Sequence, residues 1–531
     1  TDSIASYSTS DSVLTGLMIM TVIIVLIACV NYINLSSAIA IKRSKEVAIY
    51  KILGDKKHQL IVRNLFETAV LVFIATIHAF AFSGYFINLI NGGILNQTFE
   101  LHLSTDIVLM TVGVGVFIVA MAGLYPALLM SRFKPVETLK SKQIYSSKGP
   151  ANIIRRVLIM IQFAFVHVII IGVAGVYFQL DYMRNTDLGF KSNAIISFNL
   201  PQRDSLKIER LKYGLVQHAG IENANISSGV PFESDYQYGT SYRLTSEDNS
   251  QKREAEMKVV DTDYKDFYEL ELIAGRWLNE SNRLFWQEGF NGFVVNETLV
   301  KELNLTPEEV IGKRIAINEG EAEVVGVVRD YHNMWLKDEI EPLLLFYWGT
   351  GFFSKGAIQL SSDQNALAAI AHLENSWKTE FPEYDFEYQW LDERIAQVYE
   401  QDNLIFNALK IGAVIAIALG GSGLFALVAF FINMKTKEVG IRKVLGASIP
   451  RLIVQLSSGF MKLIIVSIII STCAGWWLMN EWMSGFTYKN ELTLLTYVLS
   501  AIVTVIIASL TISVQTLKTA QLNPVDSLRN E

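Results

Sequence analysis

Seven stretches of this chain are long and apolar enough to cross a lipid bilayer, and that limits every other reading of it. They lie at roughly 13–40, 66–90, 105–131, 155–179, 404–433, 456–483 and 493–517. A run of about 18 or more apolar residues with hardly a charge reads as a transmembrane helix. A buried core helix would account for one such run but not for seven. The composition agrees, with 51% of the 531 residues hydrophobic and 18% charged. The expected fold class is an α-helical membrane protein with seven transmembrane helices, carrying an inserted α/β (α+β) domain over the one long polar segment, 181–402.

Lys and Arg orient the helices. They crowd the loops after the first, third and fifth apolar runs and recur beyond the seventh, whereas 90–104 and 484–492 hold only Lys489. Short basic loops stay on the cytoplasmic side. The N-terminus is therefore expected outside, the C-terminus inside, and 181–402 extracytoplasmic. The net charge of −7 conceals two opposite halves. Residues 181–402 hold about 39 acidic against 21 basic side chains, a net near −18, which leaves near +11 for the membrane part. An acidic, solvated outer domain fits this better than a metal site. No basic patch carries interleaved aromatics, so nucleic acid is not an expected partner. The two cysteines, Cys29 and Cys473, both fall in apolar runs. The outer domain must hold itself together by its own core, without a disulfide.

Two short charged stretches are versions of one another. Residues 45–54 read KEVAIYKILG and residues 437–446 read KEVGIRKVLG, and LIV follows in register at 60–62 and 452–454. KPVETLKS at 134–141 and NPVDSLRN at 523–530 form a second matched pair. Landmarks in one order at spacings of 392 and 389 mean an internal duplication. Before its last three helices the second half has a leading helix and an outer domain, and the first half has neither. The repeat thus predicts a longer parent of eight helices and two outer domains, with this chain its C-terminal portion. The expected organisation is an extracytoplasmic remnant at 1–12, a three-helix domain at 13–141, and a linker with the fourth helix at 142–180. The outer domain follows at 181–402, and a second three-helix domain at 403–531.

Within the outer domain, 194–200, 222–228, 357–361 and 384–390 read as strands, and 205–218 and 364–379 as helices. Both ends of the segment would form a βαβ-like base, bearing a mostly β lobe at about 236–350 with strands at 292–296, 314–317 and 323–328.

The lobe contains VVDTDYKDFYELELIAGRWL (259–278), VVNETLVKEL (294–303), IGKRI (311–315) and EAEVVGVVRDYH (321–332). It resembles the periplasmic core domain of MacB-type ABC transporter permeases. The repeated KEV-x-I-x-K-x-LG stretches and their PV-acidic-x-L closings resemble the FtsX-type permease domain, here present twice. The chain departs from an even duplication at Glu67, whose counterpart is Gly459.

No Walker A pattern is present. The one Gly-Lys pair, Gly312-Lys313, lacks the glycine-rich lead and the following Ser or Thr. The chain is expected not to be an enzyme and to hold no cofactor of its own, with ATP and Mg bound by a separate ATPase. The repeated stretches suit contact with that motor: Ile49, Ile52 and Leu53 give a short helix an apolar side, and Gly54 or Gly446 can end it in the left-handed conformation. Asp55 and Ser448 are then placed to cap the next helix. The resemblance implies that this loop touches the ATPase, a role that falls on Glu46, Lys51, Gly54, Glu438, Lys443 and Gly446.

Other residues read as structural. His78 and His167 are expected as neutral imidazoles packed between helices, and Gly420, Gly421 and Gly423 as sites of close helix approach. Asp261, Asp263 and Asp266 lack the glycine turn and distal Glu of a calcium loop. Trp277, Trp286, Trp335 and Trp348 are expected in the core of the lobe. His218, His332 and His372 show no paired nucleophile or metal spacing. The resemblance implies the permease subunit of an ABC exporter or extractor, which turns ATP hydrolysis into work on a substrate outside the membrane. Two ATPase copies, the lipid bilayer and a periplasmic adaptor or outer-membrane protein would be its partners. The alternative is an FtsX-like signalling subunit that controls a cell-wall hydrolase or senses a peptide.

Overall fold

The structure, a computed structural model, describes residues 11–93, 102–131, 150–232, 238–283, 290–318, 320–333, 336, 339–348, 352–361 and 366–520. It divides into two compact units: Thr1–Asp181 with Asp402–Met483 and Asn490–Glu531, and Tyr182–Gln401 with Ser484–Lys489. The closing motifs at 134–141 and 523–530, Trp286, Trp335 and the first ten residues lie outside the described residues.

The first unit opens with α1 (Asp11–Lys42), the short α2 (Ser44–Ile52), α3 (Lys57–Gly93), α4 (Thr105–Ser131) and α5 (Pro150–Asn185). Several helices outrun their apolar runs; α3 begins at Lys57, well ahead of residue 66. Helical hydrogen bonding does not stop where side chains turn polar, because an amphipathic turn continues a membrane helix into water at no backbone cost.

In the second unit β1 (Ile195–Asn199), α6 (Ser205–Leu215) and β2 (Ile221–Ser227) come first. The lobe supplies β3 (Tyr238–Leu244), β4 (Arg253–Val259), α7 (Tyr264–Phe267), β5 (Leu272–Gly275), β6 (Phe293–Asn296), α8 (Glu297–Glu302), α9 (Pro307–Val310), β7 (Arg314–Ile317), β8 (Gly320–Val328) and β9 (Leu343–Phe346). The base resumes with β10 (Lys355–Leu360), α10 (Ala366–Glu380), β11 (Tyr388–Trp390) and α11 (Leu391–Val398).

The base sheet runs β11-β1-β10-β2, and every neighbour is antiparallel. β1 and β2, joined by α6, are therefore parallel with β10 between them; β10 and β11, joined by α10, have β1 between them. These are two interleaved split βαβ units. Ile208, Leu211 and Leu215 of α6, with Ala369, Leu373 and Trp377 of α10, are buried in the core that both helices share with the sheet. Asp204 caps α6, accepting from the Leu206 and Lys207 amides at 3.0 and 3.2 Å. Of the strand expected at 384–390, only Tyr388–Trp390 pairs, while Phe386 packs against Phe198 and Trp377.

The lobe sheet runs β5-β8-β6-β9-β4-β3-β7, and β8 also pairs with β7. Residues 320–323 of β8 face β7, and those from Val324 onward face β6, so six strands close on themselves with β5 attached outside. Closure removes the free edges that long strands would otherwise expose.

The first unit is completed by α12 (Glu400–Val444), α13 (Ile449–Met483) and α14 (Leu494–Ala520). Seven of the described helices are long and apolar enough to span a membrane. Ile159 and Phe163 of α5 share a buried cluster with Leu424, Leu427 and Val428 of α12, Ile464 of α13 and Ala508 of α14. Two glycines make that packing close: a Cβ on Gly420 would meet Val166 at 2.9 Å, and one on Gly423 would overlap Asn31. Gly421 sits in ordinary contact with Thr511 at 3.6 Å.

Candidate functional site

The two repeated stretches fold to the same terminus. At the first, Gly54 takes φ +108°, its amide donates to the Lys51 carbonyl at 3.2 Å, and the Asp55 amide donates to the Tyr50 carbonyl at 3.0 Å. At the second, Gly446 takes φ +91° and the Ala447 amide donates to the Arg442 carbonyl at 3.0 Å. Each helix thus ends on a left-handed glycine that returns its last carbonyls to the chain, the Schellman arrangement.

The side chains keep the register. Val47 and Val439 are buried, at 4% and 6% exposure. Ile49, Ile52 and Leu53 are 50, 62 and 78% exposed; their counterparts Ile441, Val444 and Leu445 are 46, 65 and 80% exposed. Each elbow therefore offers an open apolar triplet beside an exposed carboxylate, Glu46 in one and Glu438 in the other. Glu438 pairs with Arg442 one turn on, at 2.7 Å. Lys51 is half-buried and its ammonium donates to the Ser131 carbonyl at the end of α4, at 2.7 Å. Burial, with Lys57 adding to it, pulls Lys51 below the usual lysine range. The side chain of Lys443 lies outside the described residues.

Two expectations need correction. The second stretch is no separate short helix: α12 continues through it to Val444, whereas the first is set off at Arg43, where φ −83° and ψ 5° interrupt the helix. The break falls on the residue whose side chain reaches Glu67 on α3, at 3.3 Å. Neither Asp55 nor Ser448 makes a side-chain cap among the described residues. At α3 it is Gln59 that accepts from the Lys56 amide, at 2.7 Å, because its longer side chain reaches back one turn.

Glu67 joins two arginines, Arg43 at 3.3 Å and Arg63 at 3.9 Å, and Arg63 lies over the Tyr50 ring at 4.7 Å. These groups line a cleft with Glu46, Leu60, Asn64 and Met130. The sequence marked Glu67 as an oddity; its partners lie 24 and 4 residues away and became visible only in the fold.

Of the other singled-out residues, His167 is fully buried between helices, with Nδ1 2.9 Å from the Thr504 hydroxyl and Nε2 3.1 Å from that of Thr472. His78 does not pack between helices: it is exposed, and its Nδ1 bonds the Ile74 carbonyl of its own helix at 2.8 Å. Arg155, at the very start of the fourth apolar run, is 2% exposed; its guanidinium donates to the Ser37 carbonyl at 3.2 Å. Sequence reasoning missed that burial, because a cation at the start of an apolar run looks like a loop residue. In the outer unit the Lys212 ammonium lies 2.6 Å from both Asp261 and Asp263, in place of a cation. Burial draws Lys212 down, yet the two carboxylates hold it above the ordinary lysine value. No group of three or more metal-ligating side chains occurs among the described residues. Trp277 and Trp348 are partly buried against the core, the latter stacked on Phe352 at 4.0 Å. His218 and His372, 154 residues apart, stack at 4.9 Å. Burial pulls His332 below its ordinary value, against the opposing pull of Asp187 and Asp330.

Residues 18–135 and 410–524 match the family described as FtsX-like permease C-terminal, and residues 163–373 match the MacB-like periplasmic core domain. Two curated relatives come from Bacillus subtilis (strain 168). The uncharacterized ABC transporter permease YvrN is 27% identical over 298 residues, 51% of this chain and 69% of the relative. The uncharacterized ABC transporter permease YknZ is 22% identical over 315 residues, 55% and 74%. The solved periplasmic region of MacB from Actinobacillus actinomycetemcomitans aligns at 20% identity over 40% of this chain and 94% of its own, with a TM-score of 0.28. The extracellular domain of the noncanonic ABC-type transporter YknZ from Gram-positive bacteria aligns at 15% over 37% and 97%, with a TM-score of 0.26. The family matches, not these overlays, carry the assignment.

Proposed function

Since the chain belongs to the MacB/FtsX-like ABC transporter permeases, with the FtsX-like domain present twice and the MacB-like periplasmic core domain once, we propose that it transmits force from a partner ATPase to a substrate at the outer face of the membrane. One ATPase docks on each elbow, so that two copies serve the chain. Residues 181–402 lie outside and the C-terminus inside, and the outer domain receives the motion together with a periplasmic adaptor or outer-membrane partner.

The observation that carries this reading is the matched pair of apolar triplets, Ile49/Ile52/Leu53 and Ile441/Val444/Leu445, exposed to the same degree at equivalent places in the repeat. Duplicated handles suit a motor that works in duplicate. A helix closed by a left-handed glycine and followed at once by another helix passes on a push without unwinding. Glu46 and Glu438 supply the exposed polar contact beside each triplet, while Lys51 braces the first elbow against α4 and Lys443 holds the matching position in the second. The test is the ATP hydrolysis rate of the assembled complex with the E438Q, K443Q and L445D variants. Each is expected to lower substrate-linked stimulation several-fold while membrane insertion is unchanged. Stimulation that stays at the parent level in all three sinks the coupling role.

A further inference from the structure

Among the described side chains, the two elbows present equal handles but are anchored unequally. In the first half, the cytoplasmic ends of the helices are tied by directional polar contacts. Arg43 and Arg63 hold Glu67, at 3.3 and 3.9 Å. The Asn64 amide donates to the Gly123 carbonyl at 3.1 Å, and the Tyr32 and Thr68 hydroxyls meet at 3.0 Å. Lys51 fastens the elbow itself to the end of α4.

At the repeat spacing of 392, Tyr32, Asn64 and Thr68 become Leu424, Leu456 and Phe460. Arg43, Arg63 and Glu67 become Lys435, Gln455 and Gly459. Gly459 offers no carboxylate, and the counterparts of Tyr32, Asn64 and Thr68 join one apolar cluster that also contains Phe431, with Phe431 edge-on to Phe460 at 5.7 Å. A hydrogen bond or ion pair fixes a distance and an angle, whereas an apolar contact keeps most of its energy when helices slide by an ångström or two. The connection between α13 and α14, residues 484–489, is moreover part of the outer unit, where Tyr488 packs edge-on against His332 at 4.8 Å.

We propose that the two halves are unequal levers: the first is the fixed side of the permease, and the second is the side that moves when the motor closes. Glu67 is then a positioning residue, and the second half delivers the motion through the 484–489 connection. This rests on the coupling role proposed above.

The test uses the full complex in a C29A/C473S background, with either the R43C/E67C or the K435C/G459C pair joined by a reducible thiol cross-linker, and reads the ATP hydrolysis rate. Cross-linking the first pair replaces a tie that already exists, and the rate is expected to stay within about twofold. Cross-linking the second pair locks the moving side; a fall of about tenfold is expected, reversed by reductant, which shows that the protein remained folded. E67Q is expected to lower stimulation about threefold, and the R43E/E67R exchange to restore it. Equal inhibition by both cross-links, or none by either, overturns the unequal levers. The L53D and L445D variants report on the premise separately: if neither slows hydrolysis, the coupling role itself fails.

Discussion

His332 shows how one residue can carry a pH dependence. Its imidazole is 8% exposed, and burial lowers its proton affinity although Asp187 and Asp330 pull the other way. In the unfolded chain the same group takes up its proton near pH 6.5. The native state therefore binds fewer protons than the unfolded one in this range. Its stability is complete above that value and declines as pH falls through it. Thermal unfolding of the outer unit, followed between pH 8 and about 5, is expected to show that decline, and H332F to flatten it. The elbow glycines carry a different constraint. At φ +108° and +91° an alanine pays the left-handed penalty, about 1 kcal/mol, whatever the space around it. G54A and G446A are each expected to raise amide exchange at the closing N–H, that of Asp55 or Ala447, about fivefold or more.

Among the elements, α5 depends most on polar contacts inside an apolar bundle. His167 ties it to α13 and α14 at once, and Gln162 donates to the Gly420 carbonyl of α12 at 3.0 Å. Such bonds are worth about 0.6–2 kcal/mol each between membrane helices. H167L keeps the volume but loses both partners, so it is expected to lower the unfolding temperature of the membrane unit in detergent by several degrees; H167Q recovers part of the loss. The seven spans and the α/β class were legible before any coordinates because hydrophobic period and length report them directly. Two details of the elements were not legible. The second elbow is continuous with α12, and 384–387 leaves the sheet, since both depend on what the neighbouring element offers rather than on local preference.

At the scale of the whole molecule, the outer unit recruits a piece of chain from far along the sequence. Residues 484–489 read as a short loop between two membrane helices, yet Phe486 and Tyr488 pack on the core built from 182–401. Y488A is expected to lower the unfolding temperature of the outer unit, by about 1–2 kcal/mol of lost packing, while K489A leaves it unchanged. Among the candidate site residues, the sequence alone determined which positions repeat. The duplicated Glu, Lys and Gly and the apolar register beside them are local patterns, and local patterns are written in residue order. It also determined that the halves differ at Glu67 and Gly459. Only the tertiary structure decided what Glu67 meets, the guanidinium groups of Arg43 and Arg63. Ion pairs, buried cations such as Arg155 and the closure of six strands in the lobe join residues distant in the chain, and a linear pattern carries no record of which side chains the fold brings within 3–4 Å.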